Sequence, residues 1–267
     1  WANMEQKLRR VESARMVYKM GMKELPHDSE LYYKLALLEY NQGNTQLCTE
    51  TLMHGLKEDC LNPYLNQALA VVEYVQNKNV ARANELLHIA TSTNPSHVLS
   101  WITRATIHEK QGNFQAAQMC YASASTKKGA CSALLWLSWI RLEERLGNKL
   151  KAIELCELAS KRFPDNVDFY VIWGRLLLET GNTILARKTW NKGIQMDPTV
   201  GALYLAMGLL EQTLGDFWKA RQMFASGVRK TKGRKQAASI LYTWATMEMR
   251  LGEGNRADKL LKQAQMM

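Results

Sequence analysis

Proline is scarce in this chain, five in 267 residues, and no stretch reads as strand-forming, so helix is the expected element throughout. No run approaches the ~18 apolar residues of a membrane span. The longest obvious one, Leu134 to Ile140, ends at Arg141, and no membrane insertion is expected. The motifs of common enzyme chemistry are missing: no G-x-x-x-x-G-K-[ST], no G-x-G-x-x-G behind a strand, no H-E-x-x-H and no nucleophile elbow. Neighbouring carboxylates such as Glu143 and Glu144 point ~100° apart on a helix and do not converge on a substrate. No catalytic residue is identified, and an enzyme is the least expected class. The five cysteines, Cys48, Cys60, Cys120, Cys131 and Cys156, have no C-x-x-C spacing and read as reduced thiols of an intracellular, reducing compartment. The histidines, His27, His54, His88, His97 and His108, come from different places in the pattern described below. Neither a metal nor a cofactor is expected.

What is present is charge of one sign and a long period. The formal charge is +10 with a pI of about 9.4, which favours polyanionic partners, nucleic acid before an anionic membrane surface. The stretch Trp173 to Pro198 is one helix-turn-helix unit. Apolar residues recur every three or four positions at Trp173, Leu176 and Leu177, then at Ala186, Trp190 and Ile194. The turn lies at Gly181-Asn182, and Pro198 closes the unit. The same ruler finds turn residues Gly43, Lys78, Gly112, Gly147, Gly215 and Gly252, spaced by 35, 34, 35, 34, 34 and finally 37 residues when Gly181 is included.

Five residues after each turn stands Cys48, Ala83, Ala117, Ala152, Ala186, Ala220 or Ala257. Seven later comes Gly55, Ala90, Ala124, Ala159, Gly193, Gly227 or Ala264. No member of this double ladder is large, the signature of a close helix crossing. A filler follows four residues after the first small position: Tyr18, Leu52, Leu87, Tyr121, Cys156, Trp190, Phe224 or Leu261. The expected repeats are 1–27, 28–63, 64–96, 97–131, 132–165, 166–199, 200–235 and 236–267. They form a single solenoid over 1–267, because repeat chains grow by stacking rather than around one core. Trp1 aligns with tryptophans inside later first helices, and Met266-Met267 follow directly on a second helix. The chain therefore reads as a slice of a longer repeat protein whose uncapped ends favour self-association.

The first helices carry a second signature. Trp and Glu stand four residues apart in Trp1–Glu5, Trp139–Glu143 and Trp244–Glu248, with Glu39 and Glu211 in the same place, and the second helices open with Ala-Arg at Ala14-Arg15, Ala186-Arg187 and Ala220-Arg221. This combination of W-A-x-M-E with G-N-x-x-x-A-R-x-x-[FW]-x-x-G resembles the half-a-tetratricopeptide (HAT) variant of the tetratricopeptide (TPR) repeat, over nearly the whole chain. It is most similar to the plastid HAT proteins that bind and protect messenger RNA ends. The pattern breaks at Lys78 in place of the turn glycine, at Leu177 in place of the glutamate, and at Arg104 in a slot filled elsewhere by Trp or Leu. The resemblance implies an all-α, right-handed α-solenoid of about eight HAT/TPR-like repeats, a role in RNA metabolism, and a plastid, mitochondrial or nuclear location. From the residues alone, the recurrent Glu and Arg read as helix-to-helix hydrogen bonds and exposed ion pairs, each worth roughly 0 to 1 kcal/mol.

In stacked repeats the first-helix face lines the inner side. Read two and six residues beyond the Trp slot, it gives Asn3 and Lys7, Leu37 and Asn41, Val72 and Gln76, Thr106 and Lys110, Arg141 and Arg145, Arg175 and Glu179, Leu209 and Thr213, and Thr246 and Arg250. Thr106, Lys110, Arg141, Arg145 and Arg175 fall in three successive repeats, with Lys7 and Arg250 nearer the ends and Trp136 and Tyr170 close by. Phosphates of a single RNA strand can follow such a track, and an ordinary solvated face fits the same residues. A second basic feature is the loop Arg229, Lys230, Lys232, Arg234 and Lys235, which suits phosphate, an acidic protein or solubility. Two functions remain open: a single-stranded RNA-binding module, or a protein-binding scaffold in a larger assembly. The small-residue ladder is testable. Replacing Ala186 or Ala220 with Leu is expected to destabilise the array by roughly 1–3 kcal/mol through overpacking, and substituting Asn182 by less. A thermal melt of Ala186→Leu identical to that of the native chain would break the register.

Overall fold

The computed structural model describes residues 11–127, 129 and 132–267. Among them are fifteen helices and no strand. They are α1 (Val11–Glu24), α2 (Ser29–Asn41), α3 (Thr45–Glu58), α4 (Pro63–Val75), α5 (Val80–Thr93), α6 (Val98–Lys110), α7 (Phe114–Thr126), α8 (Ala133–Arg145), α9 (Lys149–Arg162), α10 (Asp168–Glu179), α11 (Thr183–Met196), α12 (Gly201–Thr213), α13 (Phe217–Lys230), α14 (Arg234–Arg250) and α15 (Gly254–Gln265). No helix among the described residues is long and apolar enough to cross a membrane. The helices group into two compact units, Trp1–Trp139 and Ile140–Met267, with the division inside α8. Each unit is an all-α stack of antiparallel hairpins, the solenoid class of fold. Even-numbered helices are the first members of the hairpins and odd-numbered ones the second.

Every hairpin turns in the same way. Gly43, Gly112, Gly147, Gly181, Gly215 and Gly252 have φ between +76° and +85°, and Lys78 adopts φ +54° at the same point. The residue after each turn donates its N–H back to the carbonyl near the end of the first helix, as Asn44 does to Glu39 at 2.9 Å and Asn182 to Leu177 at 2.8 Å. These bonds close Schellman-type ends. Asn182 itself is not left-handed: its φ is −85°, and it is the residue that opens α11. The third hairpin holds one residue more between its glutamate and its turn, so Asn79 donates to Glu73 at 3.0 Å. That insertion moves the first-helix register, and Val72, expected on the surface, is buried.

The small-residue ladder is buried throughout. Its lower rung lies between the hairpin's own first helix and the next one. A Cβ on Gly227 would fall 2.7 Å from Tyr204 Cβ and 3.0 Å from Ile240, and one on Gly55 2.8 Å from Tyr32 Cβ. The fillers cross over the first helix of their own hairpin, where the facing slot scales inversely with them. Under Trp190 lies Gly174 and under Phe224 lies Gly208, and in both a Cβ would come within 2.2 Å of the ring. In the register of the Leu and Tyr fillers the slot is alanine: Ala36, Ala70, Ala105 and Ala245.

Three of the junctions are joined by ion pairs that are not the exposed ones expected. Arg15 of α1 holds Glu39 of α2 through two bonds. Arg187 of α11 holds Glu211 of α12 at 2.7 and 3.0 Å, and Arg221 of α13 holds Glu248 of α14 at 2.7 and 2.7 Å. The three carboxylate side chains are 0%, 4% and 0% exposed. Asn44 adds a bond to Glu39 at 2.8 Å, and Trp244 Nε1 one to Glu248 at 2.7 Å. The guanidinium beside them holds the Glu39 and Glu248 carboxyls below their ordinary value. A buried carboxylate needs such satisfaction, because an uncompensated buried charge costs several kcal/mol. The junction between the fifth and sixth repeats takes an apolar form at the same place. Leu177 replaces the glutamate, Ile153 stands where Arg187 and Arg221 stand in their own helices, and Ile153 packs against the apolar cluster that contains Leu177. Trp173, four residues before Leu177, is left with its buried Nε1 unpaired, as Trp244 would be without Glu248.

Two outcomes follow. Gly208→Ala is expected to destabilise the chain by roughly 1–3 kcal/mol through collision with Phe224, and adding Phe224→Leu to recover much of the loss, since Leu over Ala is the pairing used elsewhere. Arg221→Ile alone is expected to cost about 3 kcal/mol or more by stranding Glu248, whereas Arg221→Ile with Glu248→Leu recovers most of it. Because the folded Glu248 carboxyl titrates below its unfolded value, the clamp's contribution is complete above a pH of about 4.3 and is lost as pH falls through the depressed folded value. Urea melts at about pH 7 and about pH 3 should therefore show a smaller acid loss in the double variant than in the native chain.

Candidate nucleic-acid interface

The basic residues proposed as one track are distributed over both units, Thr106 and Lys110 in the first and Arg141, Arg145, Arg175 and Arg250 in the second. Lys7 lies outside the described residues. Thr106, half-buried in α6, donates its hydroxyl to the Ile102 carbonyl at 2.8 Å, a helix-internal bond. Lys110 ends α6, exposed, with its ammonium 5.6 Å from the centroid of the Tyr74 ring. Arg141 and Arg145 are exposed, one turn apart on α8. Arg250 is exposed at the last position of α14.

Arg175 departs from the expected picture. Its guanidinium binds Glu144 and, at 2.9 Å, Glu179, and Glu179 is in turn bound by Lys149 at 2.9 Å. The hydrogen bond from Lys149 holds the Glu179 carboxyl below its ordinary value. Lys149, Glu179, Arg175 and Glu144 therefore form a chain of alternating charge, and Arg175 is a largely neutralised member of the first-helix face. Trp136 and Tyr170 are buried in the core, as ring packing would have it, and offer no stacking surface. The cysteines divide likewise: Cys48, Cys120 and Cys156 are buried and Cys60 is exposed, while Cys131 lies outside the described residues. Burial pushes the Cys48 thiol up to about 11 and that of Cys156 to about 12.

The second basic feature is not a long loop. Arg229 and Lys230 end α13, Arg234 and Lys235 begin α14, and only Thr231, Lys232 and Gly233 lie between. The extra residues of the 37-residue spacing lengthen α14 to 17 residues by an added turn at its start. Arg229 and Lys230 sit where a helix end favours cations, but Arg234 and Lys235 stand at the positive end of α14, where the helix dipole disfavours them. No acidic residue occupies that first turn. Among the described residues none of the five forms an ion pair, although Lys230 lies 5.8 Å from the Tyr204 ring centroid. Lys232 and Lys235 border an open depression of about 760 Å³ that Thr199, Gln236 and Ser239 also line.

The charge is unevenly divided. Residues 140–267 hold 21 Lys and Arg against 13 Asp and Glu, a net +8 of the chain's +10. Sequence reasoning found the cations but not which of them are already paired, since pairing depends on the neighbouring hairpin.

No family model matches the chain. Among curated proteins it is similar to pre-mRNA-splicing factor CLF1 of Yarrowia lipolytica, 24% identical over 99% of this chain and 37% of that protein. It is also similar to pre-mRNA-splicing factor 6 of Saccharomyces cerevisiae, 26% identical over 52% of this chain and 15% of that protein. A third relative is the chloroplastic PsbB mRNA maturation factor Mbb1 of Chlamydomonas reinhardtii, 24% identical over 68% and 28%. The chain thus spans between about a seventh and somewhat over a third of the relatives it matches. Among solved structures, a tetratricopeptide repeat protein from Parabacteroides merdae superposes over 99% of this chain and 96% of its own, with a TM-score of 0.51 at 16% identity. The Pseudomonas aeruginosa pilF protein covers 79% and 95%, with a TM-score of 0.53 at 16% identity. These two likenesses concern the fold alone.

Proposed function

We propose that this chain, an all-α repeat protein similar to splicing and mRNA-maturation factors and, in fold, to a tetratricopeptide repeat protein, is a non-catalytic module of RNA metabolism whose second unit binds single-stranded RNA through its phosphates. The observation that carries this reading is the concentration of charge, +8 within residues 140–267, in a chain whose relatives are named for pre-mRNA splicing and mRNA maturation. The exposed Arg141, Arg145 and Arg250, together with Arg229, Lys230, Lys232, Arg234 and Lys235, are the contacts proposed. Phosphate contacts fix position and not sequence, so this surface holds a strand without choosing among bases. Protection or processing of a transcript then follows from occupying it. An organellar setting agrees with the relative named as chloroplastic, and a nuclear one with the two named for splicing.

Each phosphate contact contributes roughly −0.7 to the slope of log affinity against log salt for a single strand. Arg141→Ala with Arg145→Ala is therefore expected to flatten the slope by about 1.4 and to weaken all RNAs alike. Replacing the five cations of residues 229–235 with Gln should flatten it by up to about 3.5. Arg175→Ala should change it least, because that guanidinium is already shared between two carboxylates. Filter retention of labelled single-stranded RNA, run beside duplex DNA across a salt series, measures all three. Unchanged affinity and slope in both multiple variants would sink the reading.

A further inference from the structure

Helix α6 carries a histidine at each end, and each imidazole keeps a buried nitrogen without a hydrogen-bond partner. His97 caps the start of α6 and is 7% exposed. Its Nδ1 lies 2.7 Å from the hydroxyl of Ser100, which is itself buried. Its ring stands at 62° to that of Tyr64 of α4, with centroids 4.3 Å apart. Its Nε2 is buried without a partner among the described residues. His108 lies in the last turn of α6, and its Nδ1 is buried and unpartnered in the same way.

His108 stands four residues before the turn residue Gly112, where Glu39, Glu211 and Glu248 stand before theirs. Asn84 follows Ala83 where Arg15, Arg187 and Arg221 follow their alanines. The junction between the third and fourth repeats thus has an imidazole for the carboxylate and an amide for the arginine. Asn84 Oδ1 is also buried and unpartnered. The cation has moved to the first helix. Arg104, one turn before His108 in the slot of Trp173 and Trp244, is half-buried and donates to the Thr91 hydroxyl of α5 at 3.4 Å. Among the described residues it forms no ion pair.

The charged groups on the elements packed against α6 are committed elsewhere or face water. On α4, Glu73 is bound by Asn77 at 3.0 Å, and the Tyr74 ring faces Lys110. On α5, Arg82 and Glu85 pair with each other at 3.0 Å, and His88 is exposed. α7 has no charged residue, its Cys120 thiol is buried, and its Tyr121 hydroxyl donates to Glu109 of α6 at 2.9 Å. Residues 133–139 of α8 are uncharged, and Lys78 and Lys127 in the adjoining loops are exposed. Burial holds both imidazoles below their ordinary value, and at His108 the charge of Arg104 adds to it.

We propose that α6 is a pH-sensitive element of the first unit: with both imidazoles neutral it packs on α4 and α5, and a proton on either ring places an uncompensated charge at a buried end and loosens it from them. Protonation of His97 makes Nε2 a donor with no acceptor. Protonation of His108 sets a second cation one turn from Arg104. A base kept neutral by the fold contributes its stability in full above the unfolded value of about 6.5, and the contribution is lost as pH falls toward the lowered folded value. That range begins above the one in which Glu39 and Glu248 take up protons, so α6 loosens before the Arg–Glu junctions do. The proposal uses no part of the RNA reading.

The test follows the full chain from about pH 7.5 to about pH 5, by NMR of its histidine rings and by hydrogen exchange read by mass spectrometry and corrected for the intrinsic rate. Expected are titrations of His97 and His108 below about 6.5. Between about pH 7.5 and about pH 5.5, exchange in residues 98–110 should rise about tenfold or more beyond that in residues 201–213 of the second unit. His97→Asn with His108→Gln should abolish the excess. Arg104→Met, a milder change, should move the His108 titration up and leave that of His97 in place. Titration of either ring at or above the ordinary imidazole value would overturn the proposal, as would an exchange rise shared equally by both units. So would a rise that starts only below about pH 4.5, which assigns it to the carboxylates.

Discussion

At three junctions a carboxylate buried at the end of one helix is gripped by an arginine from the preceding hairpin, and there this interaction sets how the two hairpins stack. The carboxylate side chains of Glu39 and Glu248 are 0% exposed. Moving Glu248 away from the Arg221 fork and from Trp244 Nε1 would leave charge and donor unpaired in a dry site, which costs several kcal/mol where a shifted methyl group costs tenths. The pair therefore contributes position more than net stability. The junction at Ile153 and Leu177 agrees with that view. Polar and apolar solutions both occur in one molecule, and the two partners change character together.

The other constraint is volume. Trp190 and Phe224 lie over glycines whose added methyl would collide with the rings at 2.2 Å, while Leu52, Leu87 and Tyr121 take alanine in the same slot. Hairpins of unlike composition can then have nearly the same crossing distance, and this chain shares its fold with solved structures at 16% identity. Lys78 shows the limit of this freedom. The turn demands a left-handed residue, and where glycine is absent the lysine still adopts φ +54°, a conformation unfavourable for a residue with a Cβ. Hairpin closure prevails over local preference.

Much of this was legible in the sequence. The period, the turn glycines, the small-residue ladder and the fillers are local patterns that a single chain displays repeatedly, and the structure buries them as the spacing requires. What escaped depended on partners. The Glu and Arg were visible but read as exposed pairs, because burial is produced by the next hairpin and no spacing within one repeat reports it. Glu73 was missed since one additional residue before Lys78 shifts the frame, and the same shift placed Val72 wrongly on the surface. The run from Arg229 to Lys235 read as a loop from its composition, yet four of its five cations lie on helix ends. Arg175 read as a free cation for the same reason: Glu144, which neutralises it, belongs to another hairpin.

Because the hairpins are fixed by buried pairs and matched volumes, their exposed positions are released from structural duty and can differ from one repeat to the next. The second unit uses that release in two directions. Along the first helices and at the start of α14 it accumulates cations, some against the preference of the helix dipole, which folding alone would select against. Along the starts of α9, α11 and α13 it leaves Leu150, Ile184 and Trp218 in water at a register where other hairpins have Gln, Ala or Asn. Both features cost the isolated chain something, through self-repulsion in the first case and unburied apolar area in the second. Neither is repeated throughout residues 11–139, where the net charge is small and the equivalent positions are polar or alanine. A packing rule would act on every hairpin alike, so a departure confined to consecutive hairpins of one unit is not a consequence of packing.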